Sequence, residues 1–205
     1  AVGGFFTNTR KPEGLGGRLM VAMMNWGHAP VARWGRSFLR LKAGATILDL
    51  GCGGGANLAV LLKLCPDGTA VGLDYSSVSV KASAVNCRAI AEGRCQVIQG
   101  DVQELPFADD SFEQVTAFET IYFWPNLEEA FQQVFRVLKP GGSFLVCNES
   151  NGEDPKQEKW CDIIGGMTIY TGERLFELLW AAGFIQVEIH QREDRNWLCV
   201  TAQKP

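Results

Sequence analysis

The chain has 205 residues, 46% of them hydrophobic and 20% charged, with a net charge of −4. That length fits one substantial domain and crowds two, and the interspersed charges leave no basic stripe for nucleic-acid phosphates. No apolar stretch approaches the roughly 20 residues that cross a bilayer, and residues 19–24 lack the charged lead and cleavage site of a signal peptide, so a cytoplasmic protein without membrane insertion is expected.

In chain order, residues 14–41 hold one or two helices containing Met20, Met23, Met24, Trp26, Trp34 and Phe38. This N-terminal segment, residues 1–43, is expected to lie like a lid over the domain that begins at residue 44. From Thr46 onward, strand-like and helix-like stretches alternate. Ile47-Leu48-Asp49-Leu50 is a buried strand that collapses into Gly51-Cys52-Gly53-Gly54-Gly55 before a helical run from Ala56. Val71 to Asp74 reads as a second strand, with Ser76 or Ser77 capping a helix toward Ala91. Cys95 to Gln99 and Gln114 to Phe118 are the third and fourth strands. Apolar residues at 127, 130, 131, 134, 135 and 138 mark a helical stripe. Pro140-Gly141-Gly142 is expected to stop it and open a fifth strand at Ser143. A helix from Gly172, capped by Thr171 and ended by Gly183, precedes two strands separated by a short polar turn. Such spacing suits an antiparallel hairpin. The whole of residues 44–205 therefore predicts a doubly wound α/β domain, its sheet mostly parallel.

The glycine turn admits two readings. Gly51-x-Gly53-x-x-Ala56 satisfies the dinucleotide fingerprint, in which a helix N-terminus faces a pyrophosphate. Asp49, buried just ahead of the glycines, argues otherwise. An anion there repels a diphosphate and suits a ligand carrying ammonium and sulfonium charges, such as S-adenosylmethionine. A nicotinamide dehydrogenase remains the competing enzyme class.

Four motifs in order, Ile47 to Gly55, Gly72-Leu73-Asp74-Tyr75-Ser76, Gln99-Gly100-Asp101-Val102 and Arg136 to Gly142, resemble those of class I S-adenosylmethionine-dependent methyltransferases. The small quinone-biosynthesis type is the most similar. The resemblance implies a seven-stranded sheet with an antiparallel C-terminal hairpin strand. It also implies that Gly51, Gly53 and Gly55 accommodate the methionine part of the cofactor, that Asp74 binds the ribose hydroxyls and that Asp101 and Val102 bind adenine. Tyr75 would pack on the adenosine, and the Phe118 carbonyl would meet the ammonium group. Each has a plainer alternative: Asp74 as a helix cap, Asp101 as an Asx turn, Tyr75 as core.

Candidate groups for a small-molecule methyl acceptor are His28, Glu119, Tyr122, Trp124 and Glu149, with Trp26 as a further pocket wall. His28 sits in a turn-like break and titrates near neutrality, as a base should; a structural histidine is the bland alternative. Tyr122 and Trp124 serve equally well as core. Inheriting a quinone substrate would rest on analogy alone, and a non-catalytic cofactor-binding module on the same fold is a further alternative.

The seven cysteines contain no C-x-x-C pair, and with only two histidines no zinc pattern is visible. Buried, reduced thiols are expected. Cys147 and Cys161 are the only candidates for binding a soft ion such as arsenite, at a spacing that matches no metalloid pattern.

Overall fold

Alternation of strand and helix winds the chain into a seven-stranded sheet of order β3-β2-β1-β4-β5-β7-β6. The computed structural model describes residues 27–90, 93–192 and 194–205. Its strands are β1 Thr46–Leu50, β2 Thr69–Asp74, β3 Cys95–Gln99, β4 Phe112–Phe118, β5 Leu138–Asn148, β6 Ile185–Arg192 and β7 Trp197–Gln203. Strands β1 to β5 pair in parallel, while β7 runs antiparallel between β5 and β6. The expected seven strands and antiparallel hairpin are both present.

The helices are α1 Ala29–Arg36, α2 Ala56–Leu64, α3 Ser77–Ile90, α4 Leu127–Val137, α5 Glu158–Ile163 and α6 Gly172–Ala181. On one face of the sheet, α4 and α6 cover a core in which Phe131, Phe144 and Phe184 are fully buried. Asn126 starts α4 by accepting from the Glu129 N–H, and Thr171 starts α6 by accepting from Arg174. On the other face α1 lies against β5, β7 and the end of β4, burying Val31 and Ala32 beside Leu145 and Cys147. Gly35 makes that approach possible: a Cβ on it would stand 2.5 Å from the Cys147 sulfur.

Two expectations change. Strand β5 begins at Leu138 and not at Ser143, because Leu138 already pairs with Phe112 and the Pro-Gly-Gly turn is absorbed beside a register shift in β4. Gly141 and Gly142 are tied there to Lys204 by backbone hydrogen bonds. The cysteines are not all reduced: Cys87 on α3 and Cys95 on β3 form a disulfide, since the helix packs directly on that strand. Cys52, Cys65, Cys147 and Cys199 are buried free thiols, which removes Cys147 as an accessible soft-ion ligand. Trp26 and the three methionines of the N-terminal segment lie outside the described residues. Among the described residues no helix is long and apolar enough to cross a membrane.

Candidate active site

The order of strands reverses between β1 and β4, and ligands of open α/β sheets sit in the crevice at the carboxyl ends of strands flanking such a point. Here β1 delivers Asp49 and the glycine turn, while β4 delivers Phe118 and Glu119. Gly51 takes φ +65°, and a Cβ on it would meet the Thr120 side chain at 2.0 Å. Only glycine lets the two strand exits close on each other. The Gly51 and Cys52 N–H groups both donate to the Leu73 carbonyl, at 2.8 and 3.1 Å, fastening the turn to β2. Gly55, at φ +82°, opens α2.

Two carboxylates flank this turn. Asp49 is 2% exposed and accepts from the Thr116 hydroxyl at 2.7 Å. Burial pushes its carboxyl up to about 7, with the nearby Asp74 pushing the same way and Thr116 and Arg36 opposing. Asp74 ends β2 and accepts from the Gly53 N–H at 2.9 Å and the Ser76 N–H at 2.8 Å. Its carboxyl is also raised by burial. Each carboxylate oxygen carries more than one lone-pair site, so a ligand hydroxyl can still donate. Asp74 thus also holds the turn ahead of α3, whose Ser79 N–H is capped by the Ser76 hydroxyl. Tyr75 is 59% exposed beside it. Past β3, Asp101 is exposed and its Oδ1 accepts from Gln103, the Asx turn weighed from sequence, while Val102 is buried next to it.

At the far end of the crevice, four of the acceptor candidates converge. His28 occupies the N-cap position of α1 without a side-chain capping bond, and its Nε2 lies 3.8 Å from Glu119 Oε2 and 3.8 Å from Glu149 Oε2. The Glu119 side chain is 9% exposed and Glu149, just past β5, is 51% exposed. Glu119 Oε1 accepts from the Tyr122 hydroxyl at 3.3 Å and from the Glu149 N–H. Burial, reinforced by the charge of Glu149, pushes Glu119 up to about 8. Burial holds His28 below its ordinary value, with Glu149 opposing. His28, Glu119 and Glu149 offer ligand atoms within 4.8 Å of one another, a set that could hold a metal ion and that the linear spacing conceals. Tyr122 is itself buried, and its hydroxyl accepts from the Ser150 N–H.

Trp124 is not brought to this cluster. It packs inward against Phe131, and its indole N–H reaches Thr120. The Phe118 ring packs beneath α1 with Cys147, leaving the strand-end backbone at the crevice. Sequence reasoning missed Thr116, Thr120 and Arg36. A lone threonine inside Val115-Thr116-Ala117-Phe118 was the available signal for the first. Arg36, whose guanidinium donates to Asn57 and bears on Asp49, carried no such mark.

Residues 41–190 match the methyltransferase-domain family. The chain belongs to that family. It is 37% identical over 111 residues to botryococcene C-methyltransferase of Botryococcus braunii, covering 54% of this chain and 29% of that one. Over 175 residues it is 26% identical to the uncharacterized methyltransferase YdaC of Bacillus subtilis, covering 84% of this chain and 91% of the relative. The chain spans about a third of the length of the botryococcene, squalene and sterol methyltransferases it matches. A solved Haloferax volcanii structure, that of a methyltransferase with its Trm112 activator, superposes with a TM-score of 0.83 at 22% identity, covering 90% and 93% of the two chains. The family decides between the two readings of the glycine turn: the cofactor is S-adenosylmethionine. The residues present fit it, with two carboxylates and an open glycine turn at the crevice and Arg36, the cation bearing on Asp49, already engaged by Asn57.

Proposed function

We propose that this protein transfers a methyl group from S-adenosylmethionine to a small molecule with an apolar body, and not to nucleic acid. The observation that carries the reading is the division of one crevice. Asp49, Asp74 and the glycine turn stand at its cofactor end, and His28, Glu119, Tyr122 and Glu149 at its other end. The net charge of −4 also disfavours a polyanionic acceptor.

When bound, the cofactor supplies an activated methyl group and its own leaving group, so the transfer is an in-line displacement. The chain has to align the accepting atom and exclude water. Asp74 would accept from ribose hydroxyls, Asp101 and Val102 would receive adenine, and Tyr75 would lie against the adenosine. Asp49 and the Phe118 carbonyl would meet the ammonium group. Because Asp49 titrates near 7, placing a cation beside it draws off its proton, and cofactor affinity should rise from pH 6 to pH 8. Where the acceptor must lose a proton, His28 and the Glu119 carboxyl beside it are the groups that would carry it. α1 would form a fixed wall at the acceptor end, while most of the lid expected over residues 1–43 lies outside the described residues. A cytoplasmic setting suits the four buried free thiols, and there the Cys87–Cys95 bond would be open to reduction.

Calorimetry tests the cofactor assignment. S-adenosylmethionine and its demethylated product should both bind, and comparable affinity for NAD would refute it. A tritiated-methyl screen over small-molecule pools then separates an enzyme from a silent binding module, which would bind cofactor without turnover.

A further inference from the structure

The acceptor end of the crevice gathers two carboxyls around one imidazole. Glu119 and Glu149 present Oε2 atoms to the same nitrogen of His28, each 3.8 Å from Nε2. Among the described residues, His28 is the only basic side chain that pairs with either carboxylate. That imidazole stands beyond hydrogen-bond distance of both oxygens, so it engages neither carboxylate fully. Glu119 Oε1 is already committed to the Tyr122 hydroxyl and the Glu149 N–H. Its Oε2 is the oxygen turned toward the space shared with His28 and Glu149. A carboxylate or phenolate acceptor would bring a second anion beside Glu149 and leave Glu119 protonated, and a neutral alcohol would leave both carboxyls without a cation. A ligand bringing one positive charge and several N–H donors matches the set.

We propose that the methyl acceptor is an amine, seated as its ammonium form between Glu119 and Glu149. The proposal rests on the methyltransferase function and names its substrate class. An ammonium has no lone pair to donate, so one proton must leave first. Seating the cation first draws the resting proton of Glu119 off to solvent, so that Glu119 Oε2 can take this one, giving a neutral amine and a protonated carboxyl. The nitrogen lone pair then forms the N–C bond as the C–S bond breaks and its electron pair returns to sulfur. The product is the methylated ammonium, again a cation in the same carboxylate pair. The proton on Glu119 passes by way of His28 to solvent beside half-exposed Glu149. Glu119 is thus a catalytic residue, and Glu149 a specificity-determining one.

The test uses the full chain saturated with S-adenosylhomocysteine and three probes of one shape: 2-phenylethylamine, 2-phenylethanol and phenylacetate. Calorimetry at pH 7.5 should show the amine binding at least ten-fold more tightly than the alcohol, with phenylacetate weakest. Glu149→Gln, on an exposed side chain that the fold does not need, should shrink the amine preference several-fold with S-adenosylhomocysteine affinity unchanged. Glu119→Gln should abolish the preference and lower methyl transfer to the amine by roughly 10²-fold or more. Equal binding of alcohol and amine, tightest binding of phenylacetate, or methyl transfer to the alcohol but not the amine would each overturn the proposal. So would amine binding that requires manganese and is lost with EDTA, since the carboxylates would then be metal ligands. Failure of S-adenosylhomocysteine itself to bind would overturn the cofactor reading and this proposal with it.

Discussion

Replacing Glu119 by glutamine removes a carboxyl that the fold holds in its protonated form. Its pKa stands at about 8 in the folded chain against an ordinary 4.5, because the side chain is buried and faces Glu149. Between those two values the unfolded chain binds fewer protons than the folded one, so wild-type stability falls as pH rises and levels off above about 8. Each unit of pH in that window costs about 1.4 kcal/mol. From pH 6 to pH 8, with the group half ionised at the upper end, the wild type should therefore lose roughly 2 kcal/mol through this one group. Glutamine can keep the acceptor role toward Tyr122 and the Glu149 N–H, and it cannot ionise. Asp49, raised to about 7, adds a slope of the same sign, but it does so in both proteins and cancels in the difference. Tyr122 is raised well above its ordinary value and His28 lowered, so both stay neutral between pH 7 and 8. Urea unfolding at pH 6, 7 and 8 reads the effect: the Glu119→Gln curve should be the flatter of the two. Parallel pH dependences would refute the claim that Glu119 is kept protonated by burial.

Asp74→Ala removes the acceptor proposed for the ribose hydroxyls and the observed acceptor of the Gly53 N–H. Calorimetry should show S-adenosylmethionine affinity falling by about 1–3 kcal/mol, the range for hydrogen bonds to a charged group. Gly35→Ala inserts a methyl 2.5 Å from the fully buried Cys147 sulfur and should cost about 1–3 kcal/mol in denaturant unfolding. Opening Cys87–Cys95 with reductant releases a short loop and should lower stability by roughly 2–3 kcal/mol, with an unchanged midpoint arguing that the bond does not form in solution. Asn148 is fully buried, and neither end of its amide meets a partner among the described protein groups. Asn148→Leu should therefore raise stability by about 1 kcal/mol or more.

Local pattern was enough to locate most of the sheet. Cys95 to Gln99 is β3 to the residue, and the polar break before Trp197 made the antiparallel hairpin legible. The start of β5 was not, because Pro140 and the two glycines signal a turn regardless of whether a neighbouring strand extends past them. On the cofactor side, the glycines and the strand-end aspartates were readable because each sits within a few residues of a recognisable strand. At the acceptor end, the sequence offered His28, Glu119, Tyr122 and Glu149 only as separate candidates. Their meeting depends on β4 and β5 being neighbours and on α1 crossing their ends, neither of which is a local property. Trp124 shows the converse limit. An aromatic after a strand can face a pocket or the core, and the α4 stripe carrying Phe131 drew it inward. The Cys87–Cys95 pair was hidden in the same way, since their spacing says nothing until a helix is laid on its strand.

The contact of Gly35 with Cys147 has a mechanical meaning for the acceptor end. With no side chain between helix and sheet, α1 has little slack in which to slide or tilt: its last turn is registered against β5 at Gly35 like a key in its slot, and its first turn is held by the Cys147 thiol, which donates to the Val31 carbonyl. His28, at the head of that helix, inherits this immobility. Among the described residues, an opening that admits an acceptor must then swing on the chain beyond Glu149, leaving the imidazole in place while the doorway changes around it. Selection for new acceptors can therefore rework that stretch freely, because the histidine and the two carboxylates are fixed by the sheet and not by the door.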